Sequence, residues 1–78
     1  MTNSEKYSKA FIEAFNVSES ELADLEYQSI ARWDSIGHMN LVAILEEAFE
    51  IMMDTDDIID FSSFKKGKEI IGKYDVEL

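Results

Sequence analysis

Five consecutive residues, Asp34-Ser35-Ile36-Gly37-His38, contain the side-chain types of a hydrolytic triad. A serine acts as a nucleophile when a histidine takes its proton and a carboxylate orients that histidine. Here Ser35 and His38 are three residues apart on one predicted helical turn, so both should point outward at an exposed helix end. Nothing nearby would align the imidazole or form an oxyanion pocket. We therefore predict no catalytic site, and a His38 that faces solvent or contacts an anion held at the helix start.

The charge of the chain is strongly one-sided. Seventeen acids and seven bases give a formal net charge of −10, which argues against binding nucleic acid through its phosphates. No Lys or Arg lies between Trp33 and Phe64. The acids in that interval are Asp34, Glu46, Glu47, Glu50, Asp54, Asp56, Asp57 and Asp60. Such a segment either steers positively charged partners or simply keeps the surface hydrated, and it favours a monomer.

Composition excludes several other classes. The chain has no cysteine, so it can form neither disulfides nor thiolate metal sites. Residues 54–65 resemble a calcium loop, but Ile59 stands where the loop needs glycine and Lys65 where it needs a bidentate acid, so no metal site is predicted. The longest aliphatic run, Leu41 to Leu45, is too short to cross a bilayer, and the N-terminus has no apolar signal core. We expect a single cytoplasmic domain over residues 1–78.

The first part of the chain has the hydrophobic spacing of a half-buried helix. Its inward stripe consists of Tyr7, Ala10, Phe11, Ala14 and Phe15. Asn3 or Ser4 can cap this helix. Ser18 and Glu21 then have the spacing of a capping box, which predicts a short helical turn carrying Leu22 and Leu25. From residue 26 to residue 32 the pattern fades, and we predict a surface loop.

A second helix is predicted from Asp34 or Ser35 to Phe49 or Glu50. Its apolar face consists of Leu41, Leu45, Ala48, Phe49 and Met52, widened by Ile36, Met39 and Val42. Trp33, just before this helix, is predicted to be a hydrophobic staple that packs against the first turn. The alternative is an exposed aromatic anchor for a partner. Met39, Met52 and Met53 are predicted to be core or core-edge residues.

The last part of the chain predicts one short helix and one longer helix. Asp54 or Thr55 can cap the short one, and Ser62 or Ser63 the longer one. Their inward residues are Ile58, Ile59 and Phe61, then Phe64, Ile70, Ile71 and Tyr74. No segment alternates with the period of a strand. The chain is therefore predicted to be all-α, a small four-helix bundle with three longer helices and one short helix.

Several motifs along the chain resemble the acyl carrier proteins and their aminoacyl and peptidyl carrier relatives. Asp34-Ser35-Ile36 resembles the Asp-Ser-Leu signature of that family. The other matching segments are Phe15-Asn16-Val17, which resembles Phe-x-Val; Leu45-Glu46-Glu47-Ala48-Phe49, which resembles Leu-Glu-Glu-x-Phe; the acidic turn Asp54 to Asp57; and Phe61-Ser62-Ser63. The match is collinear from about Glu5 to Tyr74, which is nearly the whole chain.

The resemblance implies a non-catalytic carrier of the kind used in fatty acid or polyketide biosynthesis. Ser35 would be the attachment site of 4'-phosphopantetheine, added from coenzyme A by a phosphopantetheinyl transferase. The arm would carry acyl groups as thioesters, loaded by an acyl- or aminoacyl-activating enzyme. Acyltransferases or synthases with basic docking surfaces would then bind the residues Asp34, Ile36, Met39, Glu46, Glu47, Asp54, Asp56 and Asp57. A serine at a helix N-terminus also places a phosphodiester at an electropositive site.

Some residues near Ser35 depart from the fatty-acid type of carrier, namely Trp33, Gly37, His38 and Asn40. These departures favour a specialised pathway, such as cell-surface polysaccharide or secondary-metabolite synthesis. They also leave open an aminoacyl or peptidyl carrier, as well as an unmodified acidic helical interaction protein in which Asp34 and Ser35 merely cap. If the bundle encloses cargo, the predicted lining is Met39, Val42, Ile58 and Ile59. Gly37 should cost the helix about 1 kcal/mol relative to alanine.

Overall fold

The computed structural model describes all 78 residues, from Met1 to Leu78. It contains α1 (Asn3–Phe15), a 3₁₀ helix (Glu19–Asp24), α2 (Ser35–Phe49), α3 (Thr55–Asp60) and α4 (Phe64–Gly72). There is no strand, and the single antiparallel bridge, between Glu26 and Ser63, joins two loops. None of these helices is both long and apolar enough to cross a bilayer. The prediction of an all-α chain is confirmed, with a 3₁₀ helix at the predicted short turn.

The N-terminus of α1 is capped one residue earlier than predicted. Thr2, and not Asn3 or Ser4, is the cap, and it forms a complete capping box with Glu5. The Thr2 hydroxyl accepts from the Glu5 amide at 3.1 Å, and the Glu5 carboxylate accepts from the Thr2 amide at 3.0 Å. These contacts lower the pKa of Glu5. At the other end, α1 stops at Asn16, whose left-handed φ of 54° suits an asparagine.

The predicted capping box between Ser18 and Glu21 does not form. The Ser18 hydroxyl donates instead to the Glu21 carboxylate at 3.0 Å, while the Glu21 amide bonds to the Ser18 carbonyl at 3.1 Å. This is the tighter i to i+3 bond of a 3₁₀ helix, which takes the amide that a capping side chain would use. Leu22 and Leu25 are buried as predicted, and residues 26–32 form a largely exposed loop, also as predicted.

The core is a cluster of aromatic rings from several elements. Its members with rings are Tyr7, Phe11, Phe15, Trp33, Phe61 and Phe64. Phe11 is central, because its ring centroid lies 5.0 Å from that of Tyr7 and 5.0 Å from that of Phe64. Tyr7 also donates a buried hydrogen bond of 2.7 Å to the Phe64 carbonyl, and burial raises the pKa of this tyrosine. These contacts fasten α1 to the start of α4.

The apolar face of α2 is narrower than predicted. The residues that α2 buries completely are Leu41, Val42 and Leu45. Ile36, Met39 and Met52 are exposed by 81%, 53% and 86%, so their assignment to the inward face was wrong. Met52 is exposed because the backbone changes direction before it. Glu50 ends α2 in the left-handed conformation, with a φ of 54°, and the reversed chain buries Met53 instead.

The caps of the last two helices agree with the prediction only in part. Asp54 is the N-cap of α3, but its side chain makes no capping hydrogen bond. Ser63 caps α4, since its hydroxyl accepts from the Lys66 amide at 2.9 Å. The residues that α4 buries are Phe64, Gly67, Ile70 and Ile71, which confirms the predicted inward face. Tyr74 follows the helix and is half-buried.

Candidate functional site

Ser35 is the first residue of α2, but it is not the cap. Asp34 occupies the cap position, and its Oδ1 accepts from the Gly37 amide at 2.8 Å. The Asp34 carbonyl also accepts from the His38 amide at 2.8 Å, which closes the first turn. The exposed Ser35 hydroxyl is thus not needed to start the helix. The Ser35 hydroxyl makes no capping bond and is accessible to a reagent or to another protein.

The backbone around Ser35 is electropositive. The amides of Ser35 and Ile36 precede the first intrahelical donor of α2, and the Asp34 side chain occupies only the amide of Gly37. The positive end of the helix dipole lies at the same place. These two amides and the dipole favour a negatively charged substituent on the Ser35 oxygen, although the Asp34 carboxylate offsets part of this field.

His38 does not face solvent, and that prediction was wrong. The Trp33 indole Nε1 donates to His38 Nδ1 at 2.9 Å, and His38 Nε2 lies 2.7 Å from the Ile58 carbonyl oxygen. An indole N–H can only donate, so Nδ1 is unprotonated and Nε2 carries the proton that is donated to Ile58. Both nitrogens of this neutral ring are occupied. His38 is therefore committed to structural partners and does not pair with Ser35 in a triad.

Trp33 acts as the predicted hydrophobic staple. It is completely buried, which excludes the alternative of an exposed aromatic anchor. Its indole stacks on the Phe15 ring at an interplanar angle of 23° and lies edge to edge with the nearly parallel His38 ring, at 17°. Trp33 and His38 are the residue before the cap and the fourth residue of the helix, the two positions that a staple joins. This spacing was the sequence signal that could have identified the inward orientation of His38.

A pocket of about 360 Å³ opens beside Ser35. Its lining consists of Tyr27, Ser35, His38, Met39, Ile58, Ile59, Phe61 and Ser62. Met39, Ile58 and Ile59 were predicted to lie together between the second and third helices, and they do. Val42, the fourth predicted member, is buried in the core instead. With His38 neutral, the lining contains no charged side chain.

Besides Ser35, four lining residues were not predicted to lie at this pocket: Tyr27, His38, Phe61 and Ser62. Tyr27 lies in the loop before α2, and its amide donates to the Ser62 carbonyl at 2.8 Å. This long-range bond brings the loop and the end of α3 to the same rim. No local spacing in the sequence signals a contact between segments this far apart.

The predicted docking residues do not all lie on the surface. Those that are exposed are Asp34, Ile36, Met39, Glu47, Asp54 and Asp56. Glu46 is half-buried, and its Oε2 accepts from the Met53 amide at 2.9 Å, so it stabilises the turn after α2. Asp57 is only 6% exposed. Of the predicted docking carboxylates, the exposed ones nearest to Ser35 in the sequence are therefore Asp34 and Glu47.

Asp57 is engaged inside the protein, which removes it from the predicted docking face. The Lys73 ammonium and the Tyr74 hydroxyl both donate to its carboxylate. The hydrogen bond from Lys73, followed by that from Tyr74, lowers the pKa of Asp57. The same pairing raises the pKa of Lys73. The face of α3 that carries Asp57 packs against the end of α4. Asp57, which the sequence grouped with the exposed acids of the central segment, is therefore turned inward.

The lowered pKa of Asp57 predicts an acid-sensitive contribution to stability. A carboxylate with a depressed folded-state pKa stabilises above its unfolded value of about 3.9, and the contribution is lost as pH falls through the folded value. We expect Asp57→Asn to be less stable than wild type from pH 5 to pH 9, with the gap closing below about pH 4. Urea unfolding across this range measures the gap. Asp56→Asn, an exposed neighbour, should show no such gap, and a constant gap for Asp57→Asn down to pH 2 would contradict the assignment.

The structure offers no other obvious site. No three His, Cys, Asp or Glu side chains are grouped so that they could hold a metal ion. Comparisons with protein-family models, with curated proteins and with solved structures found no match for this chain. The resemblance to carrier proteins accordingly stays a prediction. The site that the geometry singles out is the Ser35 hydroxyl with its adjoining pocket.

Proposed function

We propose that this chain is an acyl carrier protein whose Ser35 holds a 4'-phosphopantetheine arm. The observation that carries the proposal is the position of Ser35. Its hydroxyl is exposed at the start of α2, Asp34 makes the capping bond in its place, and an uncharged pocket opens beside it. A separate phosphopantetheinyl transferase would provide the base that activates this hydroxyl, so the chain itself needs none. His38 is accordingly free to serve a structural role.

The residues around Ser35 suit such an arm. The free amides of Ser35 and Ile36 would face a phosphodiester on the serine oxygen, at the positive end of α2. When attached, the arm supplies a terminal thiol that holds an acyl group as a thioester. The chain contains no cysteine, so no protein thiol would compete for that acyl group. The order of helices supports a four-helix bundle of the acyl-carrier type, and a modification that draws on coenzyme A would be consistent with a cytoplasmic location.

The exposed surface next to Ser35 supports brief docking with several enzymes. Ile36 and Met39 present apolar side chains on α2, while Glu47 adds negative charge farther along the same helix. The exposed Asp54 and Asp56 extend the acidic surface to α3. Long-range attraction to basic surfaces speeds encounter without requiring a large interface. We place the docking face on these residues, with Glu46 contributing chiefly to the turn and Asp57 excluded.

The chemistry of the pocket favours acyl cargo over aminoacyl cargo. An aminoacyl thioester carries an ammonium group, and moving such a group away from water is costly unless a carboxylate pairs with it. None of the eight lining residues is acidic. An apolar acyl chain has no charge to desolvate on entering this space and gains from contact with Met39, Ile58 and Ile59. The aminoacyl carrier and the unmodified interaction protein remain the alternatives that experiment must separate.

Intact-mass measurement tests the proposal directly. After coexpression with a broad-specificity phosphopantetheinyl transferase, the chain should gain the mass of one phosphopantetheinyl group. Peptide mapping should place that gain on Ser35, and Ser35→Ala should abolish it. Because Asp34 makes the capping bond, we expect Ser35→Ala to change the free energy of unfolding by only about 0.5 kcal/mol or less. The loss of modification would therefore not reflect unfolding.

Two further serines serve as matched controls. Ser62 lines the same pocket and Ser29 lies in the exposed loop, so both hydroxyls are near the surface. Ser62→Ala and Ser29→Ala should each keep the full mass gain. An unmodified wild-type chain, or a gain on another serine, would refute the carrier and favour an unmodified interaction protein. Loading the modified chain with octanoyl and with alanyl thioesters then separates the two carriers, since only the octanoyl group should raise the melting temperature.

A further inference from the structure

The helix that forms one wall of the pocket is held mainly by polar contacts. α3 has six residues, Thr55–Asp60, and the only one that it buries is Asp57. Ile58 is half-buried, and Ile59 is 72% exposed. Burial of apolar surface is the usual force that fixes a helix in a small domain. Because α3 has so little of it, its position depends on the hydrogen bonds that tie it to its neighbours.

Two polar tethers connect residues within α3 to the rest of the molecule, and a bond of 2.9 Å from the amide of its cap residue Asp54 to the Tyr74 hydroxyl adds to the first of them. The first is the Asp57 carboxylate, which receives hydrogen bonds from Lys73 and Tyr74 just beyond α4. The second is the Ile58 carbonyl, which lies 2.7 Å from His38 Nε2 in the first turn of α2. The last four carbonyls of a helix lack intrahelical partners, so Ile58 has an acceptor to offer. The tethers thus fix α3 to the end of one helix and the beginning of another.

The second tether is anchored in the core. The Trp33 indole donates to His38 Nδ1 at 2.9 Å, and the two rings are nearly parallel, with an interplanar angle of 17°. Trp33 is completely buried, so it holds the histidine ring in one orientation and in one tautomer. That tautomer leaves Nε2–H directed at Ile58. The imidazole therefore joins the core to a helix that has no residue in the core cluster and packs on it only through the half-buried Ile58.

We propose that His38 is a positioning residue that holds α3 against the start of α2 and so sets the wall of the pocket beside Ser35. α3 contributes Ile58 and Ile59 to this wall, and α2 contributes Met39. Losing the tether would let α3 move away and widen the pocket. The tether is a property of the unmodified chain, whereas its consequence for a group attached to Ser35 rests on the proposed function.

Two amide variants separate the tether from the packing of the ring. In His38→Asn, the side-chain oxygen can replace Nδ1 as the acceptor for Trp33, but the side chain is too short to reach Ile58. In His38→Gln, the longer side chain places a donor near the position of Nε2. His38→Asn thus keeps an acceptor for the buried indole, whereas His38→Gln has no polar atom at the Nδ1 position and leaves the indole N–H unpaired. Exchange of the α3 amides is therefore compared with that of the α1 amides in each variant. Asn40→Gln makes the reverse change in length at an exposed site on the same helix and serves as the control.

Hydrogen exchange of the unmodified chain, read amide by amide by NMR, is the measurement. We expect His38→Asn to speed exchange of the α3 amides roughly fivefold, the effect of one lost hydrogen bond, while amides in α1 keep the wild-type rates. Asn40→Gln should show wild-type exchange throughout, and His38→Gln should keep the wild-type ratio of α3 exchange to α1 exchange. The Trp33 indole N–H resonance should stay near its wild-type position in His38→Asn, which would show that the inner bond persists.

Three results would overturn the proposal. The first is wild-type exchange of α3 in His38→Asn, and the second is equal acceleration in every helix, which would indicate general destabilisation. The third is an identical ratio of α3 exchange to α1 exchange in His38→Asn and His38→Gln. All readouts use the chain before any modification. A Ser35 that gains no arm would thus refute the proposed function and leave the tether intact, whereas unchanged exchange would refute the tether alone.

Discussion

Replacing Gly67 with alanine should lower the melting temperature of this protein by about 15 °C. A Cβ at this position would lie 2.2 Å from the Phe61 ring and 2.2 Å from the Tyr7 hydroxyl oxygen. Both side chains are almost completely buried, so neither can swing into solvent. Moving Tyr7 would also break its hydrogen bond to the Phe64 carbonyl. Overpacking and the lost bond together outweigh the gain in helix propensity, for a net cost of about 3 kcal/mol.

Gly72 provides a matched control for this experiment within the same helix. A Cβ on Gly72 would meet nothing within 4 Å, and its φ is not positive. Gly72→Ala should therefore be neutral or stabilise the protein by up to about 1 kcal/mol. Thermal unfolding followed by circular dichroism measures both variants. Equal melting temperatures for Gly67→Ala and Gly72→Ala would contradict the close packing of α4 on the aromatic core.

Gly37→Ala should destabilise the protein by about 2 to 3 kcal/mol, although helix propensity predicts a gain of about 1 kcal/mol. A Cβ on Gly37 would lie 1.9 Å from the Arg32 carbonyl oxygen and 3.3 Å from the Phe15 ring. The Arg32 carbonyl is backbone, and hydrogen bonds hold the turn around it, including one of 2.9 Å from the Gln28 amide to the Trp33 carbonyl. The start of α2, with Ser35, would have to shift.

Urea unfolding followed by the fluorescence of Trp33 measures this effect, because that indole is the only one in the chain and is buried. The sign of the change in the free energy of unfolding shows whether helix propensity or the contact with the Arg32 carbonyl dominates. A stabilised Gly37→Ala would mean that propensity dominates and that the contact with Arg32 is absent. Asn40→Ala, at an exposed position on the same helix, should be stabilised by a few tenths of a kcal/mol and provides the comparison.

The helices themselves were largely encoded in local sequence. The stripe from Tyr7 to Phe15 predicted α1, and Asp34-Ser35 marked the start of α2 to within one residue. Hydrophobic spacing and capping act over three to five residues, so a single sequence displays them. The same locality explains why Ser35 could be singled out. Its position at a helix N-terminus requires no knowledge of what packs against it.

The roles of His38 and Asp57 could not be predicted in the same way. His38 bonds to Ile58, which is 20 residues away, and Asp57 bonds to Lys73, which is 16 residues away. In the sequence, one resembles a surface imidazole and the other belongs to an acidic run. Only packing of the helices shows that both face inward. The need for glycine at positions 37 and 67 could not be predicted from the sequence either. At both positions, the atoms that a Cβ would meet belong to another segment of the chain.

The sequence by itself determined the helices, the acidity and the position of the Ser35 hydroxyl at a helix N-terminus, since periodicity, charge and helix ends are properties of neighbouring residues. Tertiary structure alone decided the pocket, which joins a loop residue, Tyr27, to α2 and α3. It also decided which acids stay exposed and how α3 is held. The physical reason is that burial and hydrogen bonding between distant residues depend on how the helices pack, and that packing is a property of the whole chain.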